Sequence, residues 1–206
     1  PSMDIGVMGE GEIAMAQLVQ MYQKDQLQPR YLKSLSNLVY RNEDGQLTQS
    51  EKQERIQELD TLPPPERSLM QAYWSDIGEI MKWEQGLCTS RGCPFTCGFC
   101  MYSQTSNLVR YHSIERVLAD MTDMLRQYPE QTHIHFTDDL FVTKKSRLKE
   151  LAEGIRAEKI HQRLTFGCMA KASFFDEEFA QILKSMNIVS ISFGFESGTD
   201  RILHYL

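Results

Sequence analysis

Cys93, Cys97 and Cys100 stand at the spacing C-x₃-C-x₂-C, with the aromatic Phe99 directly before the third cysteine. Thiolates are metal ligands, and their number decides which centre they suit. A tetrahedral structural zinc takes four ligands. A cubane 4Fe–4S cluster has four irons, each in need of one. Three closely spaced thiolates hold three of those irons and leave the fourth open, which makes it a place for chemistry. Gly92, Pro94 and Gly98 suit a loop whose backbone folds tightly around sulfur. Two other readings stay open at this point: a zinc module that recruits Cys88 as fourth ligand, or thiols that are simply buried.

Such a loop needs a scaffold, and the chain around it alternates strands and helices. Met81 to Thr89 is expected as a strand that delivers Arg91 to Cys100 at its C-terminal end. Ser113 is expected to cap a helix running to about Tyr128, with Ile114, Val117, Leu118, Met121, Met124 and Leu125 as its apolar stripe. Thr132 to Thr137 is the second strand. Lys144 to Glu158 is a helix with Leu148, Leu151, Ala152 and Ile155 inward, and Leu164 to Met169 the third strand. Asp176 caps the next helix, and Ile188 to Phe195 is the fourth strand, before a helix start at Thr199. Consecutive βα units of this kind predict an α/β fold with a parallel sheet. Functional groups then collect at the C-terminal ends of the strands. The candidates there are the cysteine loop, Asp138-Asp139, Met169 to Lys171, and Glu196-Ser197. His133 and His135 share one strand face; with Asp138 or Asp139 they could take a metal, or they could simply pack.

Upstream, Asp4 to Glu12 has the pattern of a short strand entering a Gly-rich turn, Gly9-Glu10-Gly11-Glu12. A helix over Ile13 to Lys24 follows, with Ile13, Ala14, Leu18 and Met21 on or near one face. The turn is acidic, so it is a poor phosphate cradle; its acids suit a helix N-terminus. Leu38 to Leu47 predicts a hairpin turning at Asn42-Glu43-Asp44-Gly45. Asp60-Thr61-Leu62-Pro63-Pro64-Pro65 predicts a stiff extended linker.

The cysteine spacing and its aromatic resemble the radical S-adenosylmethionine enzymes, in particular their cobalamin-associated class. The resemblance implies a partial (β/α)₆ TIM-like barrel, holding about its first four βα units, preceded by a linker and the tail of a Rossmann-like cobalamin-binding domain. It divides the chain into 1–28 (that tail), 29–79 (the linker with the hairpin and the Pro-rich segment) and 80–206 (the barrel). It implies a 4Fe–4S cluster on Cys93, Cys97 and Cys100, whose open iron chelates S-adenosylmethionine and cleaves it reductively to a 5′-deoxyadenosyl radical. It implies adenine contact by Phe99, further contacts to S-adenosylmethionine by Asp138, Asp139, Lys171, Glu196 and Ser197, and corrin contact by Glu10 and Gly11. Asp138-Asp139-Leu140-Phe141 and Phe193 to Gly198 resemble family segments, whereas His112 stands where the family run Arg-x-Arg-Ser has its second arginine. The implied reaction is a cobalamin-dependent methyl transfer or a related radical transformation of a small-molecule or natural-product substrate, with flavodoxin or ferredoxin as electron donor. The alternatives are a cobalamin-independent relative such as a methylthiotransferase-like protein, and a zinc-binding module outside the enzymes.

The net charge of −6 over 206 residues argues against a nonspecific nucleic-acid binder. No apolar run approaches the roughly 20 residues of a membrane span. Five cysteines, three of them clustered, fit metal ligation in a reducing, cytoplasmic setting better than a disulfide framework. Pro1-Ser2 at one end and a helix just begun at the other suggest an interior piece of a longer enzyme.

Overall fold

The computed structural model describes residues 3–52, 55–71, 85–101 and 108–205. The chain forms two compact units, Pro1–Gln57 and Glu58–Leu206.

In the first unit, β1 (Ile5–Val7) leads through the Gly-Glu turn into α1 (Glu12–Gln23), and a single turn, α2 (Pro29–Leu32), precedes the hairpin β2 (Leu38–Arg41) and β3 (Leu47–Gln49). The hairpin closes as Asp-Gly chemistry requires. Gly45 takes φ 77°, and Asn42 Oδ1 accepts from the Asp44 and Gln46 N–H groups. β1 pairs antiparallel with β2, so the first strand and the hairpin form one three-stranded sheet. Ala14, Leu18, Leu32, Leu35, Leu38 and Tyr40 make its core. Met21 packs against that core as the periodicity predicts, but Ile13 is 39% exposed and faces away. At roughly 3.6 residues per turn Ile13 lies about 100° round the helix from Ala14 and about 140° from Leu18, off the buried face.

In the second unit, a 3₁₀ turn at Leu59–Thr61 and the single turn α3 (Ser68–Gln71) come first. The strand expected over Met81 to Thr89 is seen as β4 (Gln85–Leu87); its first residues lie outside the described ones. β5 (Ser90–Arg91) and β6 (Arg110–Tyr111) form a small antiparallel ladder. Then come α4 (Ile114–Gln127), β7 (His133–Phe136), α5 (Lys145–Ala157), β8 (Thr165–Ala170), α6 (Glu177–Ser185), β9 (Ile188–Phe193) and α7 (Asp200–Tyr205). The sheet runs β4-β7-β8-β9, every pair parallel, with neighbours in chain order. That is the winding of a βα barrel, and it puts all four strand ends on one rim.

The caps and stripes are those the residues dictate. Ser113 Oγ accepts the Arg116 N–H at 3.1 Å, and Asp176 Oδ1 accepts that of Phe179 at 2.9 Å. All six stripe residues of α4 are buried, as are Leu148, Leu151, Ala152 and Ile155 of α5. They pack on one face of the sheet, where Phe136 stacks between Phe141 at 4.1 Å and Phe166 at 5.2 Å. Truncating such a phenylalanine to alanine costs about 3–5 kcal/mol.

Candidate active site

The cysteine loop leaves the C-terminal end of β4 and is pinched at its base by the β5–β6 ladder, which pairs Ser90 with Tyr111 and Arg91 with Arg110. Gly92 sits in that pinch. Its φ is +96°, and a Cβ there would lie 2.3 Å from the Leu108 carbonyl oxygen, a backbone atom that cannot swing away. Only glycine fits. Further on, the Cys100 N–H donates to the Cys97 carbonyl at 3.0 Å, which closes the turn between the second and third cysteines. Cys93, Cys97 and Cys100 are half-buried thiols outside any disulfide. Burial pushes the Cys93 thiol up, the nearby Cys97, Asp139 and Cys100 add to that, and a backbone hydrogen bond at Phe95 opposes it.

The two aspartates after β7 hold this stem. Asp138 is buried. Its Oδ2 accepts the Thr89 N–H at 3.2 Å; its Oδ1 accepts the Thr89 hydroxyl at 2.9 Å and the Ser90 hydroxyl. Burial raises its carboxyl above the ordinary value, and these hydrogen bonds offset the rise only in part. Asp139 reaches out of its loop, and its Oδ2 accepts the Gly92 N–H at 2.8 Å. Both carboxylates thus engage the segment immediately before Cys93.

Lys171, just past β8, brings its Nζ to 3.8 Å from Cys97 Sγ and 3.9 Å from the centroid of the Phe95 ring, whose edge meets Phe174 at 5.7 Å. Past β9, Glu196 is exposed in the left-handed region, φ 57°. Its Oε1 occupies space a Cβ on Gly194 would invade at 2.6 Å. Ser197 Oγ accepts the Thr199 N–H at 3.1 Å at the start of α7. Phe99 is 56% exposed beside Cys100. The cysteine loop and Lys171 are therefore in contact, while Glu196 and Ser197 stand at the end of β9 on the same rim. Glu10 and Gly11 lie in the first unit: Glu10 Oε2 accepts the Ile56 N–H at 2.9 Å, and Gly11 is the N-cap position of α1.

Cys88 and Cys168 behave differently from the loop cysteines. The Cys88 thiol donates to the Ser90 carbonyl at 3.0 Å and is pushed up to about 11, chiefly by burial and then by Asp138. Cys168 is buried behind the sheet and pushed up to about 12 by the same two causes in the same order. Among the described residues no group of three or more His, Cys, Asp or Glu side chains could hold a single metal ion. His133 and His135 do not join the aspartates, because Asp138 and Asp139 turn toward the loop stem.

Several supporting residues carry no local signal in the sequence. Asp60 Oδ1 lies 2.8 Å from His112 Nδ1, and both its oxygens accept the Ser113 N–H at 3.2 and 3.1 Å. His112 N–H in turn donates to the Thr89 carbonyl at 3.0 Å, which Arg147 also approaches at 3.3 Å. His112, which stands where the resembled family run has its second arginine, is thus a staple between the segment at Asp60 and the loop stem. These pairs are 23 to 58 residues apart in sequence, beyond the reach of motif or periodicity.

Compared with known proteins, residues 87–206 match the radical SAM superfamily, which is more than half of the chain. The whole chain is 32% identical over 212 aligned residues to the uncharacterized methyltransferase PH0819 of Pyrococcus horikoshii, spanning 43% of that protein. Among solved structures, the cobalamin-dependent S-adenosylmethionine radical enzyme OxsB is similar over 97% of this chain and 29% of its own, at a TM-score of 0.71 and 23% identity. The chain therefore spans less than half the length of these relatives, and OxsB supports its fold alone.

Proposed function

For a chain that, by this match, belongs to the radical SAM superfamily, we propose that the strand-end site carries a 4Fe–4S cluster on Cys93, Cys97 and Cys100 and cleaves S-adenosylmethionine reductively. The observation that carries this reading is the contrast among the thiols. Three half-buried cysteines share one pinched loop at the end of the first parallel strand, while Cys88 has its proton committed to the Ser90 carbonyl. A donor set of three thiolates suits the cubane and disfavours the four-thiolate zinc module. When bound, the cluster supplies one electron to the sulfonium of S-adenosylmethionine.

The chain's own residues orient and screen. Asp138 and Asp139 fix the stem through Thr89, Ser90 and Gly92 rather than reaching for the amino group of S-adenosylmethionine. Lys171 lies beside Cys97, where its ammonium suits a cofactor carboxylate. Phe99 offers an exposed ring for adenine, and Glu196 an exposed carboxylate for the ribose or amino-acid part. Ser197 Oγ accepts the Thr199 N–H just ahead of α7.

For the full-length protein we extend the reading to cobalamin-dependent methyl transfer. Its support is the name of the Pyrococcus relative and the Gly9-Glu10-Gly11-Glu12 turn, with Glu10 held by Ile56 at the start of α1. Anaerobic reconstitution of the full-length protein tests both levels. About four irons and four sulfides per chain, with 5′-deoxyadenosine formed on reduction, are expected. Methylcobalamin formed from methyl-labelled S-adenosylmethionine would carry the methyl-transfer level. One zinc per chain and no 5′-deoxyadenosine would overturn the whole reading.

A further inference from the structure

One row of residues crosses the second unit's sheet on the face away from the helices. In register it is Gly86 on β4, His135 on β7, Gly167 on β8 and Ser190 on β9. The neighbouring residues Ile134, Phe136, Phe166 and Cys168 point the other way, into the helix-side core. The interior of a closed βα barrel is ordinarily filled by bulky branched side chains. This row has none: the Thr137 methyl takes the space beside Gly86, where a Cβ would meet it at 2.7 Å, and polar side chains lean over Gly167.

Three polar atoms converge there. A Cβ on Gly167 would meet His135 Nδ1 at 2.6 Å, Ser190 Oγ at 2.7 Å and His133 Nε2 at 3.2 Å. Among the described residues, the His135 ring and the Ser190 hydroxyl have no hydrogen-bond partner. His133 is better defined. Its Nδ1 lies 2.9 Å from Thr165 Oγ1, which gives its one proton to the Thr132 carbonyl at 3.2 Å. Thr165 therefore accepts the Nδ1–H of His133, and Nε2 is left as a lone-pair acceptor over Gly167. An acceptor beside a hydroxyl and a second imidazole asks for a ligand that brings its own N–H or O–H together with an acceptor. A carboxylate brings no donor. From Gly167 to Lys171, beside Cys97, is four strand residues, about 13 Å.

We propose that His133, His135 and Ser190 around Gly167 form a substrate subsite on the inner face of the sheet and take a neutral amide-type head group, about 13 Å down β8 from Lys171. The proposal rests on the radical reading of the rim above it, and its test is independent of that chemistry. Full-length protein carrying ring-¹⁵N histidine is titrated with acetamide and, separately, with acetate, the two ring signals of interest being assigned by His133→Gln and His135→Gln. Acetamide should shift the ring nitrogens of His133 and His135 saturably, and acetate should not. Gly167→Ala, whose methyl would push the three polar side chains apart, should weaken acetamide binding by about tenfold or more. Ser190→Ala, which leaves the backbone untouched, should weaken it in the same direction. Absence of any acetamide shift, an affinity in both variants equal to the parent's, or a response to acetate as large as that to acetamide would overturn the proposal. Iron content and 5′-deoxyadenosine formation by the same preparation report on the radical chemistry separately, so a failure there is not confused with a failure at this subsite.

Discussion

The backbone N–H of Gly92 donates to Asp139 Oδ2 at 2.8 Å, tying the residue before the first loop cysteine to the end of the neighbouring strand. A hydrogen bond to a charged acceptor is worth about 1.5–3 kcal/mol, less where solvent reaches it as at Asp139. Asp139→Ala should speed iron loss from reconstituted full-length protein to a chelator by several-fold. Asp139→Asn, which keeps an acceptor oxygen, should stay near the parent rate. Equal rates in all three proteins would show that this bond does not hold the loop.

Gly92→Ala is expected to do more. The φ of +96° and the 2.3 Å approach to the Leu108 carbonyl act together against the closed loop, at about 2–4 kcal/mol. Iron content after reconstitution should fall to a small fraction of the parent. The denaturant midpoint should move little, because the helix-side core is untouched. Full iron content in this variant would mean that the pinch opens without penalty.

The thiols make a third test. Cys88, pushed up to about 11, and Cys168, pushed up to about 12, stay protonated at pH 8, and the thiolate is the nucleophile. Iodoacetamide should therefore label the loop cysteines of the metal-free protein well before these two. Cys88→Ala should reconstitute with full iron, whereas alanine at Cys93, Cys97 or Cys100 should not. Iron loss on changing Cys88 would restore the four-thiolate centre.

What the sequence made legible was local. Ser113 and Asp176 as caps, the α4 stripe and the Asp-Gly hairpin each follow from a periodicity or a turn preference within a few residues. The strand ends were legible too, so the cysteine loop and Asp138-Asp139 were expected on one rim. The direction of the carboxylates was not. Whether Asp138 faces a ligand or Thr89 depends on a partner 49 residues away, and nothing in either segment encodes the pairing. The same holds for His112, whose partner Asp60 lies 52 residues upstream. The pairing of β1 with β2 was missed because a strand entering a glycine turn and helix also fits a βα unit.

Asp138 should also leave a mark on stability against pH. Burial raises its carboxyl above the ordinary 3.8, so the folded protein holds this proton more tightly than the unfolded chain does. As pH rises from about 3.8 through the raised value, the unfolded chain releases the proton first, and stability from this group falls. Asp138→Asn should flatten that part of the profile. It should also lower stability by about 1–3 kcal/mol at pH 4, because with the amide oxygen on the two hydroxyls its NH₂ would face the Thr89 N–H. Parallel profiles for the two proteins in denaturant titrations between pH 4 and pH 8 would count against a raised Asp138.

Glu196 separates a ligand role from a turn role. At φ 57° a residue with a Cβ is strained by about 1–2 kcal/mol, which is relieved by glycine and offset in part by glycine's looser unfolded chain. Glu196→Gly should thus leave stability within about 1 kcal/mol of the parent, or raise it. If the strained position is kept for its carboxylate, the same change should weaken S-adenosylmethionine binding to the cluster-loaded full-length protein by about tenfold or more, one charged hydrogen bond or its equivalent. Glu196→Gln keeps the strain and the shape and should lose a similar part of the affinity through the charge alone. Equilibrium dialysis with labelled S-adenosylmethionine measures both. Unchanged affinity in Glu196→Gly, together with raised stability, would make Glu196 a turn residue and move the search for the ribose contact to Ser197 and the loop beyond it.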